Sequence, residues 1–136
     1  MADLLLTEFD LQEFNEWMLT IQKASKDLNY ILKKIRGMGY EKITLNELLK
    51  NPGSICKEIL SEENVLSRIF EKRQVGIFDL ENPDYDNCLK EVRSKSIRAA
   101  HLRKRLLRVY ELLISYGFRP EDLFEEKNGK VVISQR

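Results

Sequence analysis

The chain has 136 residues, 43% of them hydrophobic and 33% charged, with 23 Lys and Arg against 22 Asp and Glu. That length suits one domain with a real core, and six Gly and three Pro exclude collagen-like and low-complexity chains. A net charge of +1 leaves no global field to draw the chain to nucleic acid or membrane, and no apolar run of ~18 residues is present to span a bilayer.

The opening Met1-Ala-Asp-Leu carries an acid where a secretory leader needs a base, which points to a cytoplasmic, reducing location. Thr7 and Asp10 resemble a capping box. Phe14, Ile21, Leu28 and Ile35 then recur every seven residues, with Trp17, Ala24 and Ile31 three positions after the first three of them. A strand cannot produce this period, so a helix is expected from about Glu8 to Arg36, ended by Gly37 and Gly39. At 1.5 Å per residue it is about 40 Å long. That exceeds what a compact domain of this size requires, so it either kinks or meets something beyond the body, a second copy of the chain included.

Short helices follow. Thr44 and Glu47 form a capping box ahead of Leu45, Leu48 and Leu49; Asn51-Pro52-Gly53 breaks that helix; Ser54 caps the next; Ser61 or Asn64 opens another, which Gly76 stops. In the stretch 76–84, Ile77, Phe78 and Leu80 are expected to tuck under the helices while the acids stay in water. A second long helix spans about Asp84 to Tyr116 on a Tyr85, Val92, Ala99, Leu106, Leu113 repeat. Lys95 interrupts the companion positions, and a bend, or a restart with Ser94 or Ser96 as cap, is expected within residues 93–98. Pro120 starts a short turn of helix, and Asn128-Gly129 between extended residues is the signal of a hairpin. The fold class expected is all-α: a single-domain irregular helical bundle with two long helices, several short ones and a small C-terminal hairpin or tail. Residues 1–126 form its helical domain and 127–136 the hairpin or flexible tail.

Chemistry-bearing motifs are few. Cys56 and Cys88 sit at apolar positions without C-x-x-C spacing, so they read as reduced, buried thiols rather than zinc ligands. The one histidine, His101, lies among bases with no acid to orient it and no Ser or Cys at a recognisable offset. Gly37-Met-Gly39 is not a phosphate loop. The acids Asp79, Glu81, Asp84 and Asp86 lack the Gly and terminal Glu of an EF-hand. Leu80-Glu-Asn82-Pro83-Asp-Tyr85 fits a peptide pattern that adaptor domains read, but Asn-Pro opening a helix explains the same residues. Catalysis is not expected, nor a cofactor or metal.

Charge, in contrast, is segregated. Residues 1–22 hold five acids and no Lys or Arg, while residues 93–108 hold seven bases and no acid. On a helix, Arg98, His101, Arg105 and Arg108 form one stripe with Lys104 beside it, and Arg93 and Lys95 precede it. Like charges this close repel by a few tenths of a kcal/mol per pair, so something negative should relieve them. The acids of the first helix (Glu8, Asp10, Glu13, Glu16), the acidic loop at 79–86, an acidic protein partner and nucleic acid are the candidates.

The segments Leu32–Arg36 and Ile43–Lys50 resemble the helical N-terminal domains of transcription elongation factors. Leu102–Tyr110 is similar to the helical small subunits of RNA-guided CRISPR effector complexes. Each likeness covers under a quarter of the chain and can be met by any amphipathic helix, so neither assigns a family or a residue's role. The function expected is a non-enzymatic protein-interaction module of a soluble intracellular assembly. It contacts an acidic partner through Arg93, Lys95, Arg98, His101, Lys104, Arg105 and Arg108; the alternative is nucleic-acid binding by the same stripe.

Overall fold

The computed structural model describes residues 8–134, with side chains described from Leu11 onward. It is mostly helical. Helix α1 (Glu8–Gly37) is followed by α2 (Leu45–Lys50), α3 (Pro52–Glu58) and α4 (Glu62–Lys72), then by the long α5 (Tyr85–Ser115) and the single turn α6 (Pro120–Leu123). A two-stranded antiparallel hairpin, β1 (Phe124–Lys127) and β2 (Lys130–Ile133), closes the chain. No described helix is long and apolar enough to cross a membrane. The capping pair expected of Thr7 and Asp10 lies outside the described residues and side chains.

Local chemistry sets most boundaries. The Thr44 Oγ1 accepts the Glu47 amide at 3.2 Å and starts α2; Ser61 Oγ accepts the Asn64 amide at 3.2 Å and starts α4. These caps satisfy amides that a helix leaves without internal partners. Asn51-Pro52 separates α2 from α3 as expected, but the break is only one residue wide, because Pro52 occupies the first turn of α3, where its missing N–H is not needed. Ser54 is therefore inside the helix, donating to Glu58 rather than capping. Gly76 does not end α4: the helix stops at Lys72 and Gln74 takes the left-handed conformation at φ 57°.

One contiguous apolar core joins all the elements. Leu28, Ile31, Leu32 and Ile35 of α1 enter it together with Ala99, Leu102, Leu106 and Leu113 of α5. The two long helices run antiparallel, since Trp17 meets Phe118 edge-to-face at 6.2 Å and Asp27 meets Arg105 farther along. Helix α5 is continuous through residues 93–98, so it does not restart there. Lys95 fits because it is only half-buried and lines a neighbouring hollow.

A further expectation fails in the loop after α4. Ile77, Phe78 and Leu80 do not tuck under the helices: Phe78 is 92% exposed and Leu80 73%. The loop folds back on its own backbone instead, with Asp79 N–H donating to Gly76, Asn82 N–H to Asp79 and the Tyr85 hydroxyl to Ile77 O. The hairpin begins at Phe124, which is buried, ahead of the boundary expected at 127.

The hairpin is fixed, not a free tail. Asn128 and Gly129 take φ 53° and 78°, the left-handed pair that a tight two-residue turn requires. Val131 turns its N–H and C=O away from β1, and Asn29 of α1 meets both, accepting the amide at 2.6 Å and donating to the carbonyl at 3.0 Å. Ser25 Oγ donates to the same carbonyl at 3.0 Å. A helix side chain thus completes the strand edge, which would otherwise be an open template for pairing.

Candidate functional site

Beside the core, α1 and α5 leave a groove of about 700 Å³. Leu102 of α5 points into the core, and Arg98, His101 and Arg105, placed three and four residues from it or from one another, line the flank. On α1 the same spacing sets Tyr30, Lys33 and Lys34 on the facing wall, and Met38 closes one end. Gly39 lets the chain leave α1 there: its φ is 103°, and a Cβ would collide with the Arg68 guanidinium that lies over the Tyr40 ring.

The lining holds Lys33, Lys34, Lys95, Arg98 and Arg105 with His101, and no carboxylate. Among the described residues, Arg105 is the one base of the α5 stripe paired with an acid: its Nη2 lies 2.8 Å from Asp27 Oδ1. Among the described side chains the relieving carboxylate is Asp27, in the middle of α1, and not Glu13, Glu16 or the loop at 79–86. Arg105 also sits over Tyr30, 4.3 Å from the ring centroid, with Lys34 at 5.5 Å. Those contacts hold Tyr30 against the cations and leave Lys33, Lys95 and Arg98 without a carboxylate partner among the described residues. A second hollow, sharing Gly37, Met38 and Lys95, is different in kind: Glu71 and Glu91 stand among its bases.

Of the seven residues expected to bind a partner, Lys95, Arg98, His101 and Arg105 come together in the groove. Arg93, Lys104 and Arg108 do not line it; they are exposed on the outer surface of α5. Arg103, a base of the same run, turns to the other flank and donates to Leu60 O at 3.3 Å. Sequence reasoning missed Tyr30, Lys33 and Lys34. Their signal was the i, i+3, i+4 spacing on α1, but only the antiparallel pairing of α1 with α5 brings them to the stripe.

Cys56 and Cys88 are buried and unbonded, and burial raises the Cys56 thiol above its ordinary value, with the Arg103 charge opposing it. Among the described residues no three His, Cys, Asp or Glu side chains cluster as a metal site. Tyr85 of the Asn-Pro-x-Tyr match packs edge-to-face on Phe70 at 5.5 Å, so it is held to the body rather than displayed as a peptide turn.

No family model, curated protein or solved structure matches the chain.

Proposed function

We propose that this chain is a single-domain irregular helical bundle that works without catalysis, as an interaction module that holds an acidic protein segment in the α1–α5 groove. The observation that carries the reading is the groove lining: five Lys or Arg and one His from two helices, with no carboxylate among them. Such a concentration of one sign lowers the energy of any anion entering it and speeds encounter. Leu102, Met38 and Tyr30 give the same groove apolar walls, and Ile97, 56% exposed, adjoins Arg98. A mixture of cation and hydrocarbon suits an acidic peptide better than a phosphate backbone. Binding of single-stranded nucleic acid uses free aromatic faces for base stacking, and the Tyr30 ring already carries Arg105 and Lys34.

The test is fluorescence anisotropy with two probes: a short peptide of Glu, Leu and Phe, and a single-stranded oligonucleotide of about 20 nucleotides. The peptide should bind, and Lys33→Glu with Arg98→Glu should weaken it by about tenfold or more. Both side chains are exposed, so the melting temperature should move by no more than about 2 °C. Tighter oligonucleotide binding, with a salt slope of several phosphates, would replace the reading by nucleic-acid recognition. Peptide binding that the double variant leaves unchanged would remove the groove from the account.

A further inference from the structure

The loop between α4 and α5 is the feature of this surface that the proposed function does not absorb. Phe78, at 92%, is more exposed than any other large hydrophobic side chain described, and Leu80 stands beside it. Single exposed apolar residues need no explanation, but two on the tip of an ordered turn, rimmed by Asp79 and Glu81, form a defined shape. The turn is held by its own backbone bonds, and the Tyr85 hydroxyl clasps Ile77 O at 3.2 Å. Asn82 Nδ2 also donates to Asp79 Oδ2 at 3.4 Å. The tip is therefore presented in one conformation, which lowers the ordering cost of docking it.

Its chemistry is the complement of the groove. The tip is hydrocarbon flanked by carboxylates; the groove is hydrocarbon (Leu102, Met38, Tyr30) flanked by Lys33, Lys95 and Arg98. Within one chain the two do not meet, since Phe78 remains almost wholly in water. We infer that the acidic loop of one copy docks in the basic groove of a second copy, so that the chain assembles with itself. This rests on the groove reading above and names the groove's occupant. Two different patches make the contact heterologous: each bound pair still offers one free loop and one free groove, and association continues unless the rotation closes a ring.

Sedimentation velocity over a range of concentrations, up to ~0.5 mM, tests this. The wild-type chain should form species that grow with concentration and shrink when salt is raised, because charge helps hold the contact. Two variants each remove one surface: Phe78→Ser with Asp79→Lys for the loop, and Lys33→Glu with Arg98→Glu for the groove. All four positions are exposed, and circular dichroism should show unchanged folding. Each variant alone should be monomeric. Mixed together, they should give a 1:1 dimer that grows no further, because the mixture has one intact loop and one intact groove per pair.

A wild-type chain that stays monomeric, or a loop variant that associates as wild type does, overturns the inference. So does a mixture that remains monomeric when the wild type assembles. The Glu, Leu and Phe peptide separates the two levels: if it binds the groove while the wild type is monomeric, the groove reading stands and self-assembly fails. If the peptide and the second copy both fail, the groove reading fails with it.

Discussion

The two ends of α1 carry one apolar repeat and meet opposite fates. Phe14 and Leu28 are both members of the seven-residue series, yet Phe14 is 54% exposed and Leu28 is 0% exposed. From Ile21 onward the helix has α5 on one flank and the hairpin on the other. Among the described side chains before Trp17, residues 11–16 are all exposed; α5 ends at Ser115, and beyond it Phe118 packs on Trp17. A repeat therefore states which face of a helix is able to bury, and the length of the neighbours decides how much of that face does.

The largest effect follows directly. Leu28→Ala should cost about 2–5 kcal/mol, the range for deleting a fully buried leucine and leaving a cavity. Phe14→Ala should cost less than about 1 kcal/mol, as at other exposed positions. Urea unfolding of both variants at low protein concentration measures the difference. Equal losses would mean that the exposed end is covered in solution, by a second helix or by residues outside the description, and the contrast between the ends would collapse.

The covered half can be tested more finely at Asn29. Its side chain alone meets both backbone groups of Val131. Asn29→Ala leaves the amide without a partner beside a buried side chain, which costs about 1–3 kcal/mol. Amide hydrogen exchange at Val131 should speed up more than at Leu106, since the loss is local to the hairpin. Uniform acceleration across both sites would show that the hairpin is integral to the whole core rather than a cover on α1.

These residues also show what the amino-acid order reveals and what it hides. Both long helices, the Thr44 and Ser61 caps and the Asn128-Gly129 turn are local matters, settled by periodicity and by side chains a few residues apart, and they are readable from the order alone. The Asn29–Val131 clasp spans 102 positions, and nothing near Asn29 announces it. The groove falls between these cases. The bases of α5 stand out as a run, but Lys33 and Lys34 join them only through tertiary pairing. The exposure of Phe78 was misread for a related reason: apolar residues in a loop are expected to seek cover, and whether cover is within reach depends on where the helices leave gaps.

The smallest expected effect concerns pH and the ion pair that fastens the hairpin to the end of α1. Arg36 Nη1 and Nη2 reach the two oxygens of Glu126 at 2.7 and 3.0 Å, and the same guanidinium donates twice to Ile43 O. The hydrogen bond from Arg36 is the main cause that holds the Glu126 carboxyl below its ordinary value; burial opposes it, and the Arg36 charge and the Leu45 amide add to it. Because the folded pKa is the lower one, the unfolded chain takes up its proton first as pH falls. The pair's contribution is therefore complete above the ordinary carboxylate range and is lost as pH drops through the folded value. Glu126→Gln should lower the melting temperature by a few degrees at neutral pH, and the gap from wild type should start to close as pH falls below the ordinary carboxylate range and vanish once Glu126 is protonated in the folded chain. Both side chains are partly solvated, so the effect should shrink in high salt as well. A gap that persists unchanged in acid would assign the role of Glu126 to packing rather than charge, and the hairpin would then be held to the buried half of α1 by Asn29, Phe124 and Val131.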